Sequence, residues 1–345
     1  MTIEFKSLNV SSTILNPLKN FEEDTIEMEI RYDPLLGERC DACHFVISPR
    51  ERTDLKPMIE KSLERPCPFC PELVNTFTPK FLPNIFQEGR INRGEAWLIP
   101  NIFPWTLHNP LIVVSSNHFV GMGDFNPDML TDAMALSQMY MTRIREIGEE
   151  VNYWSVGWNY MPPSGGSQVH PHLQVMGQNQ PTPLEEKVIN ASKEYSEQYG
   201  SIYFQDLVQK EKELGVRYLG ETGDISWIVN FVSRSWLFEV LAVFHGKKTI
   251  NELSQEELHD FSDGLVRVMK HCDSKNLYSA NLNLFSCNDH TRDFVPTYAR
   301  FVPRFLYSPV QAADASIGRI LHDWCFMFLK PEEVCKEMKP FFEED

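Results

Sequence analysis

Two stretches of this sequence read alike, and the duplication constrains the fold more than any other feature. From Ala96 the chain runs AWLIPNIFPW, NPLIVVSSNHF, a helix-length segment, NYWSVGWNY and VHPHLQV. From Ser226 it runs SWIVNFVSRSW, FEVLAVFHG, a second helix-length segment, NLYSANLNLF and TYARFVP. Trp97 and Trp227 are 130 positions apart and His172 and Arg300 are 128, so the register is nearly kept across the unit. Each unit reads as strands, a helix and more strands, because the runs around Leu98, Ile112 and Val156 are short and rich in β-branched or aromatic residues. Asn126 is placed to cap the first helix, with Pro127 at its first position and Leu130, Met134, Met141 and Ile144 along one face. Ser254-Gln-Glu-Glu257 is a capping box opening the second. The expected class is α+β, in two units spanning 1–200 and 201–345, each an antiparallel sheet with flanking helices. The boundary falls in the polar stretch 182–223, which is expected to hold a helix from Leu184 to about Tyr199. Residues 1–94 show no clear pattern of elements, and the tail after Pro331 reads as a short polar helix.

A chain of 345 residues, 42% hydrophobic, can bury one large core or two of ordinary domain size. Its net charge of −16 argues against a general nucleic-acid binder, whose affinity comes from clustered Lys and Arg. A small anionic substrate remains open to it, since a few local arginines offset a negative surface. No signal peptide and no run of about eighteen apolar residues is present, which makes a soluble cytoplasmic protein without membrane contact the expectation. Of the eight cysteines, Cys40 and Cys43, then Cys67 and Cys70, form CxxC pairs, a spacing that points to metal more than to disulfides.

The chemical centre is Ser164-Gly-Gly-Ser167-Gln-Val-His170-Pro-His172-Leu-Gln174. The residues around His170 alternate as in a strand, so His170, His172 and Gln174 project from one face. The small residues before them suit a loop that brings backbone N–H groups and the Ser167 hydroxyl to a phosphate. One histidine on a strand is more often a packed or surface residue; three aligned polar groups behind such a loop suggest a site.

The segment resembles the His-Pro-His-x-Gln motif of galactose-1-phosphate uridylyltransferases, a branch of the histidine-triad superfamily. Gly157-Trp-Asn159 stands where that family has Phe-Glu-Asn, and Ser167 stands where it has a phosphate-binding serine. Cys67-Pro-Phe-Cys70 is similar to its zinc CxxC, while Arg31-Tyr-Asp-Pro-Leu35 and Val46-Ile-Ser-Pro-Arg50 are similar to its N-terminal arm. The resemblance implies two histidine-triad-like units and a double displacement. His172 would take UMP, or AMP, from a nucleotide sugar and pass it to a sugar phosphate, with Gln174 donating its amide to the phosphoryl oxygens. By the same resemblance Asn159 and Ser167 would hold the strand or phosphate, Arg50 or Arg52 would approach the diphosphate, Asn101 would contact the nucleoside, and the protein would be a homodimer. A glutamine in place of a third histidine favours transfer over hydrolysis.

The resemblance also implies a structural zinc held by Cys67, Cys70, His118 and His170. A Cys₄ ribbon of Cys40, Cys43, Cys67 and Cys70 has acceptable spacing as well, and the two geometries stay open at this point. The chain departs from the family at three places. Tyr298-Ala-Arg300 and Asn283 stand at the iron-binding positions of certain members, so no iron is expected, and Arg300 and Arg304 become candidates for substrate phosphates. Ile102 replaces an acidic residue beside Asn101, and Ile317-Gly-Arg-Ile-Leu-His-Asp-Trp324 has no Gly-Tyr-Glu sugar segment. These departures keep two rivals alive: a phosphorylase of the diadenosine tetraphosphate or adenylylsulfate type, with inorganic phosphate as acceptor, and a non-catalytic zinc-stabilised nucleotide sensor.

Overall fold

The computed structural model of the chain describes residues 3–43, 51–246, 249–288, 290–304, 306–308, 311–312 and 316–343. Ten strands form one sheet. From one edge to the other its strands are 91–93, 96–100, 110–113, 172–178, 153–160, 280–287, 298–303, 240–244, 225–229 and 218–222. Every neighbouring pair is antiparallel. The first five strands, taken from their edge inward, follow the same order as the last five taken from theirs. Where each unit was expected to carry its own sheet, the halves are joined: Tyr153–Tyr160 pairs along its whole length with Ala280–Cys287, with Gly157 opposite Asn283.

The two long helices behave as their punctuation requires. Pro127–Glu146 begins at Asn126, whose side chain accepts from the Met129 N–H, and Gln255–Ser274 begins at the Ser254 capping box. Both lie on one face of the sheet. There Leu130, Met134, Met141 and Ile144 from the first helix and Leu258, Phe261 and Leu265 from the second share a core with Leu98, Ile112, Trp154, Trp227 and Leu284. Period-two alternation assigns Leu173, Val175, Val156, Trp158, Leu282, Leu284, Ala299 and Phe301 of the central strands to this face. Each such side chain contributes about 1.5–3 kcal/mol by leaving water, and the alternation sends His172, Gln174, Gly157, Asn159, Asn281, Asn283 and Arg300 to the opposite face.

Among the described residues that opposite face is covered at its two ends. At one end Cys67 and Phe69 lie on Ile99, Leu111 and Val113. At the other, helices Pro183–Tyr199 and Tyr203–Leu214 bury Val188, Ile189, Phe204 and Leu207 against Ile228, Leu241, Val243 and Tyr298. The first of these is the expected helix. The second was not expected; Gly200 separates them in the left-handed region at φ 69°. The central strands are left lining a groove.

Residues 1–94, unreadable as a pattern, supply most of a second sheet in the order 7–16, 22–32, 39–42, 325–327, the last pair parallel. Arg31 and Arg217 converge on Glu332 at 3.0 and 2.8 Å, fastening this sheet to the C-terminal helix Pro331–Met338. That helix buries Val334, Cys335 and Met338, so it is amphipathic where a polar helix was expected. Among the described residues no helix is long and apolar enough to cross a membrane.

Candidate active site and metal centre

Cys67, Cys70, His118 and His170 converge, with their ligand atoms all within 4.8 Å of one another. His118 Nδ1 lies 3.5 Å from Cys70 Sγ, and His170 Nδ1 lies 3.7 and 3.8 Å from the two sulfurs. A tetrahedral zinc with ordinary Zn–S and Zn–N bonds separates S and N by about 3.6 Å, so the donors already stand at the right spacing. The outer nitrogens fit too. His170 Nε2 donates to the Ser115 carbonyl at 2.8 Å, which leaves Nδ1 bare and facing the thiols, and His118 Nε2 meets Ser62 Oγ at 2.7 Å. Burial pushes His170 down to about 4, keeping the imidazole in its metal-binding neutral form. Burial, with Cys67 beside it, pushes the Cys70 thiol up to about 11, a cost that a divalent cation would offset. The donor set therefore fits a structural zinc, with all four positions filled by protein.

Cys40 is elsewhere. It is buried with Ala42, Phe231, Val232, Cys325 and Met327, stands beside Cys325 in register, and meets the Ser233 carbonyl at 3.6 Å. Of the two zinc geometries, the described structure assembles the one with two cysteines and two histidines, and the Cys₄ ribbon is not brought together.

Two residues beyond His170, at the start of strand 172–178, stands His172. Its Nδ1 donates to the His170 carbonyl at 2.8 Å, so in the neutral ring Nε2 carries the lone pair. Burial lowers its pKa, outweighing that hydrogen bond, and the neutral form is favoured. Phe69, inside the CxxC loop, lies 5.1 Å from the His172 ring and 6.0 Å from that of His170. The metal loop thus fixes the imidazole from the side as well as through the strand.

A groove of about 270 Å³, reached from the His172 strand by Gln174, is lined by Gln174, Asn159, Asn283, Trp105, Arg234 and Arg300 among others. Gln174, Gly157, Asn283 and Arg300 stand in one row across four strands. Gly157 keeps the row open: a Cβ there would sit 2.9 Å from Asn283 Oδ1, a buried atom without a hydrogen-bond partner. In the adjacent row Asn281 donates to Asn159 Oδ1 at 2.7 Å and to the Ser164 carbonyl at 3.0 Å, and Arg304 donates to Asn281 at 2.9 Å. Arg300 pairs with the fully buried Glu239 at 2.5 Å. The backbone enters the His172 strand through a tight turn with Met161 at φ 70° and Gly165 at φ 95°. A Cβ on Gly166 would meet the Asn159 carbonyl at 2.6 Å. Ser167 is exposed in that connection.

Other expected residues lie differently. Arg52 pairs with Asp273 at 2.8 Å and lines a separate pocket with Asp54, Asp124 and Tyr278. Arg50, with the whole Val46–Arg50 segment, falls outside the described residues. Asn101 shapes a loop: it donates to Asn109 and accepts from the Phe103 N–H, both at 3.0 Å, holding the loop that presents Trp105 to the groove. Sequence reasoning missed Asn281, Trp105, Arg234 and Glu239. Only Asn281, in the alternating Asn-Leu-Asn-Leu of its strand, left a signal that could have been read.

No protein-family model matches the chain. It is 29% identical to an uncharacterized protein of Archaeoglobus fulgidus over 94% of both chains. Among solved structures it resembles a GalT-like protein from Arabidopsis thaliana and an ADP-glucose phosphorylase of the same plant with bound ADP-glucose. Each has a TM-score of 0.67 at 17% identity, over 90% of this chain and 98% of the other. A uridylyltransferase structure gives a TM-score of 0.65 at 19% identity, over 91% of this chain and 98% of its own. The chain therefore shares its fold with these GalT-like, ADP-glucose phosphorylase and uridylyltransferase structures.

Proposed function

We propose that the protein is a nucleotidylyltransferase that works by double displacement through His172. The observation that carries this is the setting of that side chain: a buried imidazole, its pKa lowered by burial, whose Nδ1–H is committed to the His170 carbonyl, on the same strand as Gln174, which lines a groove. In the first step Nε2 attacks the α-phosphorus of a nucleoside diphosphate sugar. A P–N bond forms, the P–O bond to the sugar phosphate breaks, and that phosphate leaves with the bond's electron pair. In the second step a phosphate oxygen of the acceptor attacks the same phosphorus, the P–O bond forms and the P–N bond breaks. Gln174 donates to the phosphoryl oxygens in both steps, Ser167 and Asn159 complete the phosphate cradle, and the Asn281–Arg304 pair holds Asn159 in orientation. The zinc, when bound, supplies rigidity rather than chemistry. The mirrored strand order supports an origin of the units 1–200 and 201–345 by duplication, and the assembly we propose is a homodimer.

A second reading gives the same first step but takes inorganic phosphate as acceptor. It is supported by the fold likeness to an ADP-glucose phosphorylase and by Ile102 beside Asn101. The test is incubation with UDP-glucose or ADP-glucose, followed by mass spectrometry and then by a hexose phosphate or inorganic phosphate. The protein is expected to gain one nucleoside monophosphate in an acid-labile bond, absent in His172→Ala, and the acceptor that discharges it chooses between the readings. Turnover without an adduct, or an adduct retained in His172→Ala, defeats the mechanism.

A further inference from the structure

Strands Ser7–Asn16 and Glu22–Tyr32 form a long two-stranded ribbon at the edge of the smaller sheet, and its outer strand pairs with no other strand among the described residues. Residues opposite one another in an antiparallel pair share a face, so Leu8, Val10, Ser12 and Ile14 lie with Ile30, Met28, Ile26 and Asp24. Apart from Ser12 and Asp24 that face is apolar, yet Leu8 is 52% exposed and Ile14 41%. The other face carries Asn9 with Glu29, Ser11 with Glu27 and Leu15 with Glu23. The ribbon is ordered to its tip. Thr13 meets Thr25 at 3.0 Å, and Asp24 accepts from Asn16 at 2.7 Å and Lys19 at 2.5 Å.

The outer strand, SLNVSSTILN, has ten residues with neither a charge nor a proline, whereas the strand behind it carries Glu22, Glu23, Asp24, Glu27 and Glu29. A free edge of that length is ordinarily guarded by charge, proline or a bulge, because its unpaired N–H and C=O groups recruit another strand. A two-stranded ribbon with one exposed apolar face is also marginal alone.

Resting on the homodimer proposed above, we infer that the outer edge is the interface between its two copies, paired antiparallel about a two-fold axis at Ser11. The pattern is self-complementary about that residue: Leu8 meets the partner's Ile14 on the apolar face, and Asn9 meets the partner's Thr13 on the polar one. Edge pairing places the two acidic strands about 14 Å apart, three strand spacings, beyond the ~8 Å screening length of physiological salt. A chain of net charge −16 repels its own copy over most of its surface, and this uncharged edge is where approach costs least. The joined ribbons continue both small sheets into one.

The test uses the full chain and does not depend on its activity. Light scattering is expected to show a dimer at tens of micromolar. Leu8→Glu with Ile14→Glu should weaken association at least tenfold while the melting temperature of the body is unchanged. Ser11→Cys should form a disulfide-linked dimer under mild oxidation, above the background of the eight native cysteines and faster than Leu18→Cys at the exposed tip. A monomeric wild type would overturn the homodimer and the interface together, whereas a dimer indifferent to the two glutamates, or cross-linking through Leu18→Cys as fast as through Ser11→Cys, would overturn the interface alone.

Discussion

Replacing His118 with alanine removes one of four donors from the metal centre, and the structure gives the consequence a size. The ring contributes Nδ1 at 3.5 Å from Cys70 and ties the site to Ser62 through Nε2. Zinc binding stabilises the folded chain by RT ln(1 + [Zn]/Kd), so a hundredfold loss of affinity removes about 2.7 kcal/mol. In a chain this long, 1 kcal/mol corresponds to about 2 °C of melting temperature, which gives a fall of ~5 °C. Cys40→Ser provides the contrast. That thiol lies in a separate apolar cluster, and a serine hydroxyl can still donate to the Ser233 carbonyl, so the expected cost is about 1 kcal/mol with zinc unchanged. The assay is zinc per chain by elemental analysis and thermal unfolding of both variants, prepared without added metal. Full zinc in His118→Ala together with loss in Cys40→Ser would refute the site, and with it the argument that Phe69 carries rigidity from the metal loop to His172.

Gly157→Ala should leave the fold intact, because the close approaches of its Cβ, both 2.9 Å, are to the ends of the Asn283 and Met176 side chains and the Leu282 carbonyl lies at an ordinary 3.8 Å, yet it closes the groove between Gln174 and Asn283. We expect kcat/KM to fall about tenfold with the melting temperature within ~2 °C; unchanged kinetics would place the substrate elsewhere. His271 is buried and pushed down to about 4, so it is neutral when folded, while the unfolded chain takes up a proton near 6.5. Its contribution is complete above pH 6.5 and is lost as pH falls toward 4, by ~2 kcal/mol between pH 7.5 and 5. Urea unfolding at those two values should show this slope reduced in His271→Leu, and an equal slope in both proteins would rule the group out.

What could be read in the sequence was whatever has a short period or a local cap. Asn126 and Ser254 announced their helices because capping is decided within four residues, and His172 and Gln174 announced their strand because alternation needs only a few positions, although the strand starts at His172 and leaves His170 before it. The row of Gln174, Gly157, Asn283 and Arg300 could not be read, since it depends on the register between strands far apart in the chain. Two aligned copies of a pattern lead to the expectation of two similar units without saying which edges meet. The N-terminal ribbon escaped for a different reason. Its outer strand has few large apolar residues, and its inner strand hides an alternation of Asp24, Ile26, Met28 and Ile30 among glutamates that dominate its composition.

The join between the halves explains why one site serves two units. His172, Gln174 and the metal belong to the first half, and the second half lacks a comparable cluster among its described residues, yet the groove is finished by Asn281, Asn283, Arg234 and Arg300. Because Tyr153–Tyr160 pairs with Ala280–Cys287 along its length, side chains from the second unit reach the first through adjacent sheet positions and need no loop to carry them. Asn159 shows the effect: its carbonyl oxygen is held by Asn281, which is held by Arg304 in turn, so its orientation beside the His172 strand depends on residues more than a hundred positions away. A first unit cut at residue 200 would keep every proposed zinc ligand and the nucleophile, but it would lose the groove's far wall and the brace on Asn159. The second half thus lends the first a surface, to which its strand 298–303 contributes Arg300, bound to Glu239.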